Sequence, residues 1–369
     1  MKILVVQDHL RSGGTERQSV LLANAFSAGG HATTLLTFRP GGVLSRNLDR
    51  TVSRHVLQPF DTGLDFFAPG LIRRARQLAP DVVLCMGRMA NCYAGRLQAA
   101  LPQSAVIGTM RTGKKIPRAF QRSLQRVRHV VANSRDARDL LVTQHGVSAE
   151  KISVIHNSLV FPPAAAVSDA AASRAKLRSE QRATDTTFVM LSVAMFRPEK
   201  GQCELIEIVS ALPADFDWQL WFVGDGATRT ACEKRVAELH LGARIKFLGF
   251  QRDPAPLYAA ADCAVHASSS ESLSNFLIEA QAHGLPAIAM AAQGIEECFL
   301  PGQTGWAIPR GDYATFRDTI RTVARVEPDL GSTRSALARD FARATFDPTR
   351  QVGAYLELFS RLLETPPRT

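Results

Sequence analysis

No stretch of this 369-residue chain approaches the roughly 20 consecutive apolar residues that a membrane-spanning helix requires. The opening, Met1 to Asp8, reads as a short strand running into polar residues and lacks the apolar core of a secretory leader. Cysteines are few and scattered, at positions 85, 92, 203, 232, 263 and 298. They form no C-x-x-C pair and no Cys/His cluster at metal spacing, which excludes zinc ribbons and disulfide frameworks. The expectation is reduced, buried thiols in a cytoplasmic protein. Acidic residues are the scarcer charge, 34 against 44 Lys and Arg, leaving a net charge of +10. Also missing is a G-x-G-x-x-G turn. The first strand leads instead into Asp8-His9-Leu10-Arg11-Ser12-Gly13-Gly14. The second, Ala32 to Phe38, ends in Arg39-Pro40, where a dinucleotide fold would carry a ribose-binding acid. A nicotinamide-dependent oxidoreductase is therefore not expected.

What is present is apolar content of 46% with 21% charged residues, the balance of a soluble globular chain long enough for two cores. Strand and helix patterns alternate. Lys2–Gln7 precedes a helix that runs to Ala28 and stops at Gly29-Gly30. Strands follow at Ala32–Phe38, Asp81–Leu84, Ser104–Thr109, His129–Ala132 and Lys151–Ile155. A helix capped by Asn133-Ser134 spans Arg135–Gln144. The pattern restarts with strands at Phe188–Val193, Gln219–Val223 and Arg244–Phe247. This is an α/β chain. Between the halves, residues 161–187 carry Pro162-Pro163, alanines and polar residues. They read as a linker with one short helix and place a domain boundary near residue 160. The positive excess is local: Arg73, Arg74 and Arg76, then Arg111, Lys114, Lys115, Arg118, Arg122, Arg126 and Arg128. Such clusters suit an anionic membrane surface or a phosphorylated acceptor; the plain alternative is a solvated basic helix. No interleaved aromatics or nucleic-acid motif accompanies them, so nucleic acid is not expected as a partner.

The most informative stretch runs from Ala261 to Glu297. Glu271 lies in a polar loop after the apolar run Cys263-Ala264-Val265. Glu279 lies inside a helical pattern of Leu273, Phe276, Leu277 and Ala280, capped by Ser272 or Ser274 and stopped by Gly284 before Pro286 and a buried strand. A helix start offers unpaired amides and a positive dipole end, which favour phosphate. Carboxylates on either side of it suit hydroxyls. A molecule with hydroxyls, a diphosphate and more hydroxyls is a nucleotide-sugar; the plain alternative is a surface helix with two solvated acids.

These residues resemble the E-x7-E motif of the retaining GT-B glycosyltransferases of family 4 (glycosyl transferases group 1). Glu271, Glu279, Ala280, Ala282, Gly284 and Pro286 fall in its places, and Ser272 replaces the usual glycine. Other stretches resemble the family in order: G-G-T-E-R with Gly13, Gly14 and Glu16; F-R-P-E-K with Arg197 and Lys200; G-D-G beginning at Gly224; and L-G-F ending at Phe250. The resemblance implies a GT-B fold, two Rossmann-like domains with a cleft between them. Residues 1–160 would bind the acceptor, 161–347 would bind the nucleotide-sugar, and a helix at about 348–364 would pack back on the first domain. It implies catalytic roles for Glu271, Arg197 and Lys200. Donor contacts would come from Gly13, Gly14, Arg197, Lys200, Gly224, Phe250, Glu279 and the amides of Ser274, Asn275 and Phe276. Relatives carry a His near the donor sugar; here none lies between Gly108 and Phe120, and Arg111 stands in that loop. Glu16, Arg111 and Asn157 are the acceptor-side candidates. Asp215-x-Asp217 precedes a strand in a turn and reads as structural, and the family implies no metal and no cofactor beyond the donor. The expected reaction moves a sugar from a nucleoside-diphosphate-sugar to a glycan or lipid-linked acceptor with retention, in cell-surface polysaccharide or lipopolysaccharide synthesis. The expected location is cytoplasmic, peripheral on the inner membrane face. A catalytically silent nucleotide-sugar binder and a GT-B epimerase or phosphorylase are the alternatives.

Overall fold

In a computed structural model of the chain, residues 1–161, 170–325 and 328–365 are described. The Pro162-Pro163 pair lies outside them. The chain divides into two compact units, one of Met1–Ser158 with the chain from Pro348 onward, the other of Leu159–Asp347.

Unit 1 opens with β1 (Lys2–Gln7), α1 (Gly14–Ala28), β2 (Ala32–Thr37) and β3 (Ser53–Val56). It continues through α2 (Leu71–Leu78), β4 (Val82–Cys85), α3 (Arg88–Ala100), β5 (Ala105–Met110), α4 (Arg118–Arg126), β6 (His129–Ala132), α5 (Arg135–His145) and β7 (Ile152–Val154). The seven strands form one parallel sheet in the order β3-β2-β1-β4-β5-β6-β7. The central strands β4, β5 and β6 are buried at every position because both faces are covered. Ile3 and Val5 pack with Val20, Leu22 and Phe26 of α1. Leu4 and Val6 point the other way, to Leu71, Ala94, Phe120 and Leu124 of α2, α3 and α4. Ser134 caps α5 by accepting from the Ala137 amide at 3.0 Å, and Gly146, at φ +62°, ends it.

Unit 2 contains α6 (Ala170–Glu180), β8 (Phe188–Val193), α7 (Gln202–Ser210), β9 (Trp218–Val223), α8 (Arg229–Glu238), β10 (Ile245–Phe247) and α9 (Ala255–Ala260). After these come β11 (Cys263–His266), α10 (Asn275–Ala282), β12 (Ala287–Met290), β13 (Gly305–Ile308), α11 (Tyr313–Ala324) and α12 (Pro328–Phe346). Its parallel sheet runs β10-β9-β8-β11-β12-β13. Leu191, Trp221, Leu277 and Phe346 fill one side, and Met190, Leu205, Phe222 and Phe316 fill the other. Asp217 accepts a hydrogen bond from Thr187 Oγ1 at 2.9 Å beside the start of β9, a structural contact. The final helix, α13 (Pro348–Glu364), belongs to unit 1. Its Tyr355 and Phe359 rings lie 6.2 and 5.5 Å from Phe26 of α1. Each such ring pair adds about 0.5–1.5 kcal/mol beyond its area burial.

Candidate functional site

Parallel α/β sheets bind ligands beyond the carboxyl ends of their strands, where the strand order reverses. In unit 2 that point lies between β8 and β11. The chain leaving β8 makes the short turn Pro198–Lys200, and the chain leaving β11 makes the loop that holds Glu271. These two loops meet. Lys200 Nζ donates to Glu271 Oε1 at 2.6 Å, across 71 residues of sequence. His266, the last residue of β11, donates to the same oxygen from Nε2 at 2.9 Å. Because the carboxylate only accepts, the His266 Nε2 must carry the hydrogen. Burial pushes the Glu271 carboxyl up, but the hydrogen bond and charge of His266 and the charge of Lys200 outweigh it and hold the group at about 2. Glu271 is 9% exposed. The loop read from sequence as polar is thus a buried ion-paired centre.

Close backbone approach needs Gly201 here. It sits at φ +68°, and a Cβ there would lie 2.4 Å from the Ala267 carbonyl oxygen. Gly294 does the same on the other side, at φ +69° with a Cβ 2.0 Å from the Ser272 carbonyl oxygen. The Ser269 amide donates to the Glu199 carbonyl at 2.8 Å and completes the seam. Ser272, which stands where the resembled pattern has glycine, is itself buried.

Three residues after Glu271, Ser274 rather than Ser272 caps α10, accepting from the Leu277 amide at 3.5 Å. Asn275 and Phe276 form its first turn. One turn along, Glu279 Oε2 accepts from Tyr258 at 2.8 Å. The Tyr258 ring stacks on His283 at 4.6 Å, and burial lowers His283 to about 4. Arg197 is exposed at the end of the β8 loop and makes no ion pair among the described residues. The Gly224 amide donates to the Gly249 carbonyl at 2.8 Å, which brings the two turns together; the next residue, Phe250, is 61% exposed. Among the described residues no three His, Cys, Asp or Glu side chains gather as a metal site.

In unit 1 the order reverses between β1 and β4. Gly13 caps α1 without a side-chain bond, Gly14 begins it, and Glu16 folds back over Gly13. Arg111 is one of the acceptor-side candidates. It is half-buried and donates to Asn157 Oδ1 and to the Tyr355 hydroxyl of α13, both at 2.5 Å. Gln18 pins the next residue, exchanging bonds with the Ser158 carbonyl and amide at 2.7 and 2.8 Å. Asp8, beyond β1, caps α3 by accepting from the Met89 and Ala90 amides at 2.9 and 2.7 Å. Burial raises its carboxyl to about 7 against those two bonds. Arg39, where a dinucleotide fold would place an acid, pairs with Asp61 and Asp65 at 2.7 and 2.8 Å.

Sequence reasoning missed His266, Tyr258, Gln18 and Asp8. Only His266 left a signal, a histidine closing an apolar strand five residues before Glu271.

The sequence pattern of the Glycosyl transferases group 1 matches residues 173–339, and that of Glycosyltransferase Family 4 matches residues 12–159. The chain belongs to glycosyltransferase family 4, group 1. Among curated relatives of this family, the lipopolysaccharide core biosynthesis glycosyltransferase LpsE of Rhizobium meliloti is 30% identical over 172 residues, 47% of this chain and 49% of LpsE. LpsD of the same organism is 31% identical over 184 residues, 50% of this chain and 52% of LpsD. The chain spans about half the length of the curated relatives it matches. The fold is GT-B. Anabaena Alr3699/HepE, solved in complex with UDP, superposes with a TM-score of 0.81 at 22% identity, covering 98% of this chain and 100% of that one. The same protein was solved with UDP-glucose.

Proposed function

We propose that this chain moves a sugar from a UDP-sugar to a glycan or lipid-linked acceptor of the lipopolysaccharide-core type, with retention at the anomeric carbon. The observation that carries this reading is the Lys200–Glu271–His266 centre at the β8/β11 reversal, three residues before the capped start of α10. The names of LpsE and LpsD and the UDP and UDP-glucose of the Anabaena protein support the substrate classes.

In this reading the donor diphosphate draws Lys200 away from Glu271. Lys200, Arg197 and the α10 first-turn amides of Ser274, Asn275 and Phe276 then meet the negative charge that grows as the sugar–phosphate bond breaks. His266 keeps Glu271 in place, and the acceptor capacity that Lys200 leaves on the carboxylate takes the sugar hydroxyls. Glu279, held by Tyr258, takes the ribose hydroxyls, and Gly224 and Phe250 border the base. Unit 1 supplies the Gly13-Gly14 loop and Glu16. There Arg111 acts by holding Asn157 toward the acceptor. These cations and amides are the proposed charge-stabilising groups, with no resident metal.

Incubating the protein with a panel of UDP-sugars and lipopolysaccharide-core oligosaccharides tests this. Mass spectrometry should find one added sugar, with the donor's anomeric configuration by NMR. Lys200→Ala should lower kcat about 10²–10³-fold while leaving the chain folded. Binding without product across the panel contradicts transfer, and an inverted linkage contradicts retention.

A second observation supports a membrane-linked acceptor. From Phe66 to Arg135 the chain carries thirteen Lys and Arg but a single acid, Asp81. Arg73, Arg74 and Arg76 of α2 and Arg118, Arg122 and Arg126 of α4 are exposed. Phe60, Phe66 and Phe67 protrude from the segment leading into α2. Among the described residues no helix is long and apolar enough to cross a membrane. Basic helices beside protruding aromatics fit an anionic bilayer surface. Vesicles containing phosphatidylglycerol should co-sediment the protein at low salt and release it at high salt; equal recovery on neutral vesicles contradicts this reading.

A further inference from the structure

Two thiols in unit 2 lie against each other. Cys203, in the first turn of α7, is exposed; Cys232, one turn into α8, is buried. Their sulfurs are 2.8 Å apart. Unbonded sulfurs do not normally approach so closely, and a disulfide bond is about 2.05 Å long. One turn further along the same pair of helices, Arg235 donates to Glu207 at 2.5 and 3.0 Å. The helices are therefore already held side by side, and the sulfurs have less than about 1 Å to close to reach bonding distance. The expectation of buried thiols fails at Cys203, which is exposed, and Cys92 is only half-buried.

We infer that Cys203 and Cys232 form an oxidation site, a dithiol that a peroxide converts reversibly to a disulfide between α7 and α8. The exposed Cys203 thiolate attacks a peroxide oxygen. The O–O bond breaks, leaving a sulfenic acid on Cys203 and releasing hydroxide, which takes up a proton as water. The Cys232 sulfur then attacks the Cys203 sulfur, the S–O bond breaks, and the Cys232 proton leaves with that oxygen as a second water. Two thiols lose two electrons and one peroxide gains them. Burial raises the Cys232 thiol, so it stays protonated and resolves the sulfenic acid rather than starting the reaction. A small thiol reverses the bond by exchange. The consequence is protection: an exposed thiol three residues from Lys200 is caught as a disulfide before further oxygens add irreversibly. The inference is independent of which sugar or acceptor the chain uses.

Trypsin cuts after Lys200, Arg229 and Lys234, so Cys203 and Cys232 fall on separate peptides that only a disulfide joins. The full chain is exposed to hydrogen peroxide, its remaining thiols are alkylated, and peptides are mapped without reduction. The expected result is a joined pair carrying Cys203 and Cys232, two hydrogens lighter than the separate peptides and separated again by dithiothreitol. In Cys232→Ala, the same exposure should add two or three oxygens at Cys203. Cys203 gaining oxygens in the wild type as fast as in Cys232→Ala overturns the inference, as does a cross-link that uses another cysteine. Should Cys232→Ala fail to fold, the wild-type peptide map decides alone.

Discussion

Replacing Lys200 by Met should destabilise unit 2, and the loss should be recovered by also replacing Glu271 with Gln. Glu271 receives Lys200 at 2.6 Å and His266 at 2.9 Å on one oxygen and is buried. Its carboxyl stands at about 2 against an ordinary 4.5, which corresponds to about 3 kcal/mol of favourable interaction at neutral pH. Without Lys200 the buried carboxylate keeps only the histidine, a cost of about 1–3 kcal/mol. In the double variant the charge is gone from both partners, and about 1 kcal/mol or more should return. The pH dependence has a fixed sign. The folded value lies below the unfolded one, so the wild type gains stability as pH rises from about 2 to 4.5 and keeps it above. Glu271→Gln should show a smaller rise, because Glu207 and Asp312 of the same unit are also held low by their partners. All three tryptophans, Trp218, Trp221 and Trp306, lie in unit 2, so urea unfolding followed by their fluorescence isolates this unit. A Lys200→Met protein as stable as the wild type, or a Glu271→Gln protein with the wild-type pH profile, would refute the reasoning.

Other substitutions probe the loops and unit 1. Gly201→Ala forces a side chain into a left-handed position 2.4 Å from the Ala267 carbonyl oxygen. It should cost about 2–4 kcal/mol in the same fluorescence assay, and a cost below about 1 kcal/mol would show that the seam yields easily. Arg111→Met removes the bonds to Asn157 and Tyr355. It should lower the stability of unit 1 by about 1–3 kcal/mol, read as faster amide exchange in β5, β7 and α13. Unchanged exchange in α13 would contradict a tethering role.

The parts legible in the sequence are those where local chemistry and tertiary structure agree. Buried parallel strands such as Val82–Cys85 and Ala287–Met290 are apolar on both faces and stand out. Ser134 and Gly146 bracket α5 with their own side-chain and backbone preferences. The E-x7-E stretch is legible because its carboxylates, cap and stop lie within one short segment. What was hidden depends on distant partners or on weak patterns. Edge strand β3 is Ser-Arg-His-Val, largely exposed, with no apolar alternation to mark it. Helix α2 buries only Leu71 and Ala75 beneath its arginines. The burial of Arg111 follows from Tyr355, 244 residues away, and the pairing of Lys200 with Glu271 from two loops that only the sheet brings together. No local window contains either fact.

The most direct test of the central claim is thermal unfolding of unit 2, followed by tryptophan fluorescence, with UDP, GDP, ADP, dTDP and CMP in turn. A nucleotide present at about 100 times its dissociation constant adds roughly 2.7 kcal/mol if it binds only the folded state, a rise of about 5–10 °C for a unit of this size. UDP should give that rise, and the rise should shrink in Lys200→Ala and in Glu279→Ala. No rise with any nucleotide, or an equal rise in both variants, would contradict the assignment of the donor site to the loops around Lys200, Glu271 and α10.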